Sequence, residues 1–260
     1  MEKIVVIKIG GSTLGTNDTT IEDIVSLQKR GEDLVVIHGG GKIITEWLAK
    51  QDVSAKFIRG ERVTDKRTLD VAIAVLAGLV NKEIVAAING LGGNAVGISG
   101  VDGKVVLAQI KSAEMGYVGN ISEIDIKLLQ LLLNSGFIPV MSTIALNTKD
   151  NDNGVNILNV NADTVAGEIS VALDARKLIF LTDVDGIHDK SGKVIKNLTG
   201  GEAEAMVASG VASGGMIPKI KACLSAVSHN AATCIIDGRQ PHVLLDYVDG
   251  KETGTVIKNQ

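Results

Sequence analysis

Lysines and glycines stand together at three places in the sequence where a phosphate could bind. The first is Lys8, which is followed by Gly10 and Gly11. The second is the run His-Gly-Gly-Gly-Lys at 38–42, and the third is Gly-Gly-Met-Ile-Pro-Lys at 214–219. Glycine lets an anion approach backbone N–H groups, and a lysine brings a positive charge to it. These segments predict phosphate binding, although a glycine pair after a strand is often only a turn.

Two further segments could bind a small anionic substrate or organise the lysines. Arg62 stands in Arg-Val-Thr-Asp, and a guanidinium can hold a carboxylate through two hydrogen bonds. Asn159, Asn161 and Asp163 alternate just before an apolar stretch. Asn161 or Asp163 could equally cap a helix that begins there. The residues alone leave both interpretations open.

A third kind of segment suits a nucleotide. Asp183 and Gly186 lie in Leu-Thr-Asp-Val-Asp-Gly at the end of a predicted strand, where they could contact a ribose or a phosphate. The segment 214–219 predicts a helix start with proline in its first turn, and helix N-termini attract phosphate. The sequence contains neither a GxxxxGK[ST] pattern nor a GxGxxG fingerprint after a strand. Any nucleotide site made by these segments therefore follows neither of those two patterns.

Short β-branched runs alternate with stretches of helical periodicity along the chain. This order is typical of βαβ units and a mainly parallel sheet covered on both faces. The polar stretch Asn147 to Asn156 predicts an exposed hairpin or loop. The predicted strands are 4–9, 34–37, 95–98, 137–140, 177–181 and 234–236. The predicted helices are 21–29, 43–51, 69–89, 124–134, 162–173, 201–208 and 217–229.

The composition limits the class of protein. The 260 residues are 45% hydrophobic, enough for a large core in one α/β unit or two lobes. The formal net charge is only −4 and the basic residues are scattered, which argues against nucleic-acid binding. Cys223 and Cys234 lack metal-ligand spacing and are expected to be buried, reduced thiols. The longest charge-free apolar stretch, Val71 to Val80, is half a membrane span, so a cytoplasmic protein is expected.

In this order, the motifs resemble the amino-acid kinase family over essentially the whole chain. The segments that carry the resemblance are KIGGS, HGGGK, ERVTD, GISGVDG, GYVGNI, NVNAD, LTDVDGI and GGMIPK. ERVTD together with GYVGNI is typical of the branch that phosphorylates N-acetyl-L-glutamate. The resemblance implies a three-layer αβα sandwich with a mainly parallel central sheet. Residues 1–172 would form an N-terminal lobe for the acyl substrate and for dimerisation, and residues 173–260 a C-terminal lobe for ATP.

The resemblance also implies roles for individual residues, motif by motif. Lys8 and Lys219 would contact the transferring phosphoryl group, and Asp163 would hold the two lysines in place. Arg62 would bind the α-carboxylate of the substrate, and Asn159 would help to hold it. Backbone N–H groups would come from Gly40 and Gly41. The nucleotide and its phosphates would lie against Gly10, Gly11, Asp183, Gly186, Ile187, Val211, Ser213 and Met216.

The implied reaction is the transfer of the γ-phosphoryl group of ATP to the side-chain carboxylate of N-acetyl-L-glutamate, in arginine biosynthesis. Mg²⁺ would be held by nucleotide phosphates and water, with no direct protein ligand. Related kinases acting on carrier-bound aminoadipate, carbamate, glutamate or UMP stay open, as does a non-catalytic nucleotide-binding relative. The basic residues between Ser54 and Arg67 would suit a carrier protein, although Glu61 and Asp65 interrupt them.

The stretch Val71 to Val80 is apolar on every side for nearly three helical turns. A helix that rests on one sheet face needs only an apolar stripe, so its outer side must be covered. We therefore expect a two-fold homodimer in which this helix packs near its symmetry mate. Hexameric, arginine-inhibited members of the resembled family carry a helix before the first strand. The strand at Ile4 leaves no room for one here, so a dimer insensitive to arginine is expected.

Overall fold

Strands and helices alternate in the computed structural model, which describes residues 4–10, 19–149, 156–212 and 214–259. The strands are β1 (Ile4–Ile9), β2 (Asp33–His38), β3 (Phe57–Ile58), β4 (Glu61–Arg62), β5 (Ala95–Ser99), β6 (Val106–Ile110), β7 (Gly119–Ile124), β8 (Ile138–Ser142), β9 (Ile144–Asn147), β10 (Ile157–Asn159), β11 (Lys177–Thr182), β12 (Asn197–Thr199), β13 (Ala232–Asp237) and β14 (Thr255–Lys258). The α-helices are α1 (Thr20–Lys29), α2 (Gly41–Ala49), α3 (Lys66–Ile73), α4 (Asn81–Gly90), α5 (Lys127–Asn134), α6 (Ala162–Ala172), α7 (Gly200–Ala208), α8 (Met216–Val227) and α9 (Val243–Val248).

An eight-stranded sheet forms the centre of the fold. Its strand order is β12-β14-β13-β11-β1-β2-β8-β5, and every neighbouring pair is parallel except β13 and β14. The predicted mainly parallel sheet is confirmed. The strand β1 lies between β2 and β11, so the residue that follows it emerges in the middle of the carboxyl edge. In open α/β sheets this edge is where ligands bind.

Alternation along the central strands divides the core between the two faces of the sheet. Val5, Ile7 and Ile9 pack with α1, α2, α3, α4 and α9 in one cluster. Ile4 and Val6 pack with α5, α6, α7 and α8 in the other. Successive side chains of a strand point to opposite faces, so both faces of β1 are apolar because both are covered. This gives the αβα sandwich that the family resemblance implies.

A second, four-stranded sheet was not predicted. Its order is β10-β9-β6-β7, and β9 and β10 pair antiparallel on either side of the segment expected to be a hairpin. The predicted helix 124–134 is wrong at its start, because Ile124 ends β7 and α5 begins only at Lys127. Asp125 fixes this boundary, since its carboxylate accepts a hydrogen bond from the Lys127 N–H at 3.0 Å.

One continuous helix spans Lys66–Gly90, with a π-helical segment at Ala74–Val80 between α3 and α4. This helix has 25 residues, and the mean hydropathy of its most apolar 18-residue window is 2.0. By length and composition alone it could cross a membrane. However, 44% of that window is buried inside the fold, and core helices of soluble proteins pass the same test. Its inner side, including Val75 and Leu76, packs on the sheet.

The close packing of α6 on α8 gives a stability prediction. A Cβ at Gly167 of α6 would lie 2.9 Å from the Cβ of Ala222 on α8, whereas a Cβ at the exposed Gly201 of α7 would meet nothing within 4 Å. We expect Gly167→Ala to lower the free energy of unfolding by about 1–3 kcal/mol through overpacking. Gly201→Ala should leave it unchanged or raise it by up to about 1 kcal/mol. Urea denaturation measures both, and equal effects would contradict this packing.

Candidate active site

Lys8 is the one charged residue of β1, and the strand alternation decides where it points. It lies on the same face as Ile4 and Val6, which pack against α6 and α8. Its side chain is only 8% exposed. An unpaired ammonium group is costly to bury, so a partner is expected on that face.

The partner is Asp163, in the first turn of α6. Asn161 caps this helix, because its side-chain oxygen accepts hydrogen bonds from the N–H groups of Asp163 at 2.9 Å and Thr164 at 3.1 Å. The capping role that the sequence left open therefore falls to Asn161. The Asp163 carboxylate is free to face the sheet.

Asp163 bridges two lysines from different elements. Its Oδ1 lies 2.8 Å from the Lys8 Nζ, and its Oδ2 lies 3.0 Å from the Nζ of Lys219 on α8. Burial alone would raise the pKa of Asp163, but the two ammonium groups outweigh it and hold that pKa below its usual value. The three groups together carry one net positive charge, which suits a site for a phosphoryl group.

Arg62 approaches the same space from the β3–β4 hairpin. Its Nη2 donates to the Gly41 carbonyl at 2.7 Å and to the Thr45 hydroxyl at 2.8 Å, and its guanidinium lies 4.8 Å from the centre of the Phe57 ring. Its Nη1 is buried without a hydrogen-bond partner among the described residues. Burial lowers the pKa of Arg62 from its usual value. A buried, unpaired guanidinium N–H is a donor that an anionic ligand would satisfy.

Backbone hydrogen bonds bring three sequence motifs side by side. The Thr64 N–H of ERVTD donates to Met115 O at 3.0 Å, and the Tyr117 N–H of GYVGNI donates to Thr64 O at 2.7 Å. The Asn159 N–H of NVNAD then donates to Tyr117 O at 2.9 Å. Gly116 makes this contact possible, because its φ is +67° and a Cβ there would overlap the Thr64 carbonyl. Asn159 also donates from its side chain to the Thr64 hydroxyl at 3.2 Å.

A cavity of about 330 Å³ joins these groups, at the small end of the range for ligand sites. Seven of its lining residues were predicted for the catalytic and substrate sites: Lys8, Gly40, Gly41, Arg62, Asn159, Asp163 and Lys219. Apolar and small polar lining residues were not predicted from the sequence, among them Ile44, Leu76, Val118 and Thr143. Of these only Val118 carried a signal, as a member of GYVGNI. Gly40 also has a packing reason, since a Cβ there would lie 2.7 Å from the Leu76 side chain.

The sequence matches known proteins along nearly its whole length. The family model described as "Amino acid kinase family" matches residues 3–237. An acetylglutamate kinase of Dehalococcoides mccartyi is 44% identical over 99% of this chain and 95% of the relative, and one of Cereibacter sphaeroides is 43% identical over 98% and 88%. The solved structure of smu.665 from Streptococcus mutans UA159 is similar with a TM-score of 0.86, at 29% identity and full coverage of both chains.

The chain belongs to the amino acid kinase family. Membership of a kinase family implies that ATP is the phosphoryl donor.

In this amino acid kinase, the residues predicted for the nucleotide that the structure describes do not line the cavity described above. Gly10 follows β1 and its N–H donates to Leu181 O at 2.9 Å, beside the end of β11. Asp183 follows β11 and is exposed, whereas Gly186 and Ile187 are buried, with the Ile187 N–H donating to the Thr255 hydroxyl. Val211 precedes α8, and Met216 is the first residue of that helix. Gly11 and Ser213 lie outside the described residues.

His38 ends β2 and is fully buried in the kinase, and it does not line the cavity. The pKa of His38 is lowered to about 4, chiefly by burial and also by the charges of Lys82 and Lys8. The hydrogen bond to the Gly39 carbonyl raises this pKa but does not compensate for the burial. The imidazole is therefore neutral at physiological pH.

The low pKa of His38 predicts a pH dependence of stability. In the unfolded chain His38 binds a proton near pH 6.5, but in the folded kinase only near pH 4, so the unfolded state gains the extra proton between these values. The free energy of unfolding should therefore fall on acidification through this window, by about 3 kcal/mol from this group. Denaturation of the wild type and of His38→Asn at pH 4.5 and 7 measures the difference. On acidification, His38→Asn should lose less free energy of unfolding than the wild type, whereas a variant of the exposed His229, His229→Asn, should lose as much as the wild type. Equal losses in all three proteins would contradict the burial of a neutral His38.

Proposed function

We propose that this kinase transfers the γ-phosphoryl group of ATP to the side-chain carboxylate of N-acetyl-L-glutamate, giving N-acetylglutamyl 5-phosphate and ADP in arginine biosynthesis. The names of the relatives at 43–44% identity over nearly the full length support this substrate. The observation that carries the proposal is that one cavity is lined both by the buried Lys8–Asp163–Lys219 bridge and by Arg62, whose Nη1 has no hydrogen-bond partner among the described residues. The two ammonium groups suit a phosphoryl group, and the guanidinium suits a carboxylate.

The chemistry needs no general base. A glutamyl carboxylate has an ordinary pKa near 4.3 and is already ionised at pH 7. The barrier lies in bringing this anion up to an anionic phosphoryl group, so catalysis rests on positioning and on positive charge. The cavity supplies two ammonium groups whose positions a shared carboxylate restrains.

Each predicted residue takes one role in this proposal. Lys8 and Lys219 contact the transferring phosphoryl group, and Asp163 positions the two lysines. Arg62 binds the substrate α-carboxylate and Asn159 contacts the substrate. Gly40 and Gly41 provide backbone N–H groups at the substrate site. The remaining predicted residues contact the nucleotide and its phosphates: Gly10, Gly11, Asp183, Gly186, Ile187, Val211, Ser213 and Met216.

Mg²⁺ is proposed to bind through the phosphates of ATP and water. Within the part of the chain that the structure describes, no group of three or more His, Cys, Asp or Glu residues could hold a metal ion. The carboxylate of Asp163 is engaged by two ammonium groups and is not a free ligand. A bound Mg²⁺ would neutralise phosphate charge, and the lysines would provide the remaining charge.

A substrate panel tests the proposal directly. A coupled assay for ADP release would compare N-acetyl-L-glutamate with glutamate, carbamate, UMP and an aminoadipate-charged carrier protein. We expect turnover with N-acetyl-L-glutamate and far lower kcat/KM with the others. Absence of turnover with N-acetyl-L-glutamate, with activity on another member of the panel, would overturn the assignment.

The two lysines should act chiefly on the transition state. Lys8→Ala or Lys219→Ala is expected to lower kcat by about two to three orders of magnitude, the usual effect of losing one preorganised donor. Folding should be little disturbed, because Asp163 keeps one ammonium partner in each variant. Lys50→Ala, an exposed lysine just after α2, is the control. An unchanged kcat in both active-site variants would refute the assignment.

Arg62 should act on substrate binding, because the α-carboxylate does not change during the reaction. Arg62→Ala is expected to raise KM for N-acetyl-L-glutamate by about tenfold to hundredfold, the range for a charged hydrogen bond, with a smaller effect on kcat. Arg59→Ala, at the exposed tip of the same hairpin and outside the cavity, should leave KM unchanged. If only KM for ATP moved in Arg62→Ala, Arg62 would serve the nucleotide instead.

We further propose that residues 1–172 and 173–260 act as two lobes and that the kinase is a homodimer through the helix at Val71 to Val80. Ala74 and Gly78 are exposed on its outer side in the single chain, and Ile73 and Leu79 are half-buried. This apolar face needs a cover.

The dimer can be tested by placing a charge on that face. Ala74→Glu should convert a dimer to a monomer at micromolar concentration, because it buries an unpaired carboxylate at the interface. Ala208→Glu, exposed on α7, is the matched control and should stay dimeric. Light scattering distinguishes the states, and a wild type that is monomeric or hexameric would contradict the proposal.

A further inference from the structure

A chain of hydrogen bonds connects the long helix to the glycine turn between β2 and α2. His38 and Asn81 are both fully buried, and Lys82 follows Asn81 at the start of α4. None of the three lines the cavity. The proposed reaction gives this buried polar chain no role. Buried polar groups that fill no ligand site usually hold another group in place.

The donors and acceptors of the chain can be assigned from one end. The Lys82 Nζ lies 2.9 Å from the Asn81 amide and can only donate, so the Asn81 atom facing it is the oxygen Oδ1. The Asn81 Nδ2 therefore faces inward, where it donates to Val140 O at 2.8 Å and lies 3.1 Å from His38 Nε2. An amide nitrogen only donates, so His38 Nε2 is the acceptor.

This assignment decides the tautomer of His38. With Nε2 accepting, the one proton of the neutral imidazole is on Nδ1, which lies 3.0 Å from the Gly39 carbonyl oxygen. His38 therefore donates to Gly39 O. The other polar group of Gly39 is also held, because its N–H donates to Ile9 O at 3.1 Å.

Holding the Gly39 carbonyl also sets the direction of the next N–H. A trans peptide is planar, so the Gly40 N–H points opposite to the Gly39 C=O and away from His38. The residues 39–41 line the cavity, and within the described residues the Gly40 N–H has no hydrogen-bond acceptor. Three successive glycines have wide backbone freedom, so this peptide needs an external restraint to keep one orientation.

We propose that His38 is a positioning residue, held as the Nδ1–H tautomer by Asn81 and Lys82, which fixes the Gly39–Gly40 peptide so that the Gly40 N–H faces the transferring phosphoryl group. This rests on the proposed function for the identity of the reaction. A donor that is already oriented needs no reorganisation during phosphoryl transfer, and this is the source of its catalytic effect. The bond changes in the reaction are unaffected, because His38 exchanges no proton with substrate.

Two substitutions of His38 separate this role from simple core filling. In His38→Asn the side-chain amide nitrogen takes the position of Nδ1 and can still donate to Gly39 O. In His38→Gln the amide nitrogen takes the position of Nε2 and cannot. Both remove the ring. We expect His38→Asn to keep kcat within about fivefold of the wild type. His38→Gln should lower kcat by about tenfold to hundredfold, which is less than the loss of a whole oriented donor because the Gly40 N–H is still present. KM for N-acetyl-L-glutamate should change by less than about twofold in both. Equal losses of kcat in the two variants would overturn the proposal.

Lys82→Met tests the positioning role of His38 even if the His38 variants do not fold. Lys82 is exposed enough to be replaced, and its loss frees the Asn81 amide to turn over, so we expect kcat to fall by about threefold to tenfold. Glu83→Gln, the next exposed residue on the same helix, is the control and should keep wild-type kcat. An unchanged kcat in Lys82→Met would count against the proposal.

The tautomer itself gives a readout independent of activity. Nitrogen-15 NMR of the imidazoles in the wild-type kinase should show an Nδ1–H histidine that is neutral at pH 6, and this signal should be absent from His38→Asn. An Nε2–H tautomer for this residue would overturn the proposal. A wild type that does not phosphorylate N-acetyl-L-glutamate would contradict the proposed function but not the tautomer assignment. A wild type that is active, with equal losses of kcat in His38→Asn and His38→Gln, would contradict the positioning role alone.

Discussion

The fold brings two lysines from different elements onto one buried aspartate, and the rest of the site depends on this interaction. Lys8 comes from the central strand, Asp163 from the first turn of α6 and Lys219 from α8. A buried ammonium group is tolerated only when it is paired, so each lysine restrains the packing of its own element against the carboxylate. Because one carboxylate faces two cations, a net positive charge is left in the lining of the cavity.

Several features of the chain serve this interaction at a distance. Strand alternation turns Lys8 toward the helices, and Asn161 caps α6 so that the Asp163 carboxylate is not used as a cap. The absence of a side chain at Gly167 lets α8 approach α6 closely enough for Lys219 to reach Asp163. The positions of the charged groups are therefore a consequence of helix capping and close packing. A buried carboxylate with a lowered pKa is also what keeps both lysines paired across the physiological pH range.

Much of the fold and of the cavity could be predicted from the sequence, for identifiable reasons. The central strands are nearly continuous apolar runs and gave clear signals, whereas the second sheet is made of short strands with many polar residues, such as β7 with Asn120 and Glu123. The π-helical segment at Ala74–Val80 could not be predicted. A segment that is apolar on every side has no polar–apolar periodicity from which the number of residues per turn could be inferred. The lysines and Arg62 were found by motif, but the apolar lining residues Ile44 and Leu76 were not, because they look like any core residue. The nucleotide contacts stay predictions.

Asp163 acts through the two lysines as one unit, so substitutions of Asp163 and of a lysine should be kinetically coupled. The measurement is kcat for Asp163→Asn, for Lys219→Met and for the double variant, with N-acetyl-L-glutamate and ATP saturating. Asparagine keeps the shape of aspartate but removes its charge. We expect each single change to lower kcat by about a hundredfold or more, and the double variant to be no more than about tenfold worse than the poorer single variant. Losses that multiply in the double variant, or a wild-type kcat in Asp163→Asn, would contradict this expectation.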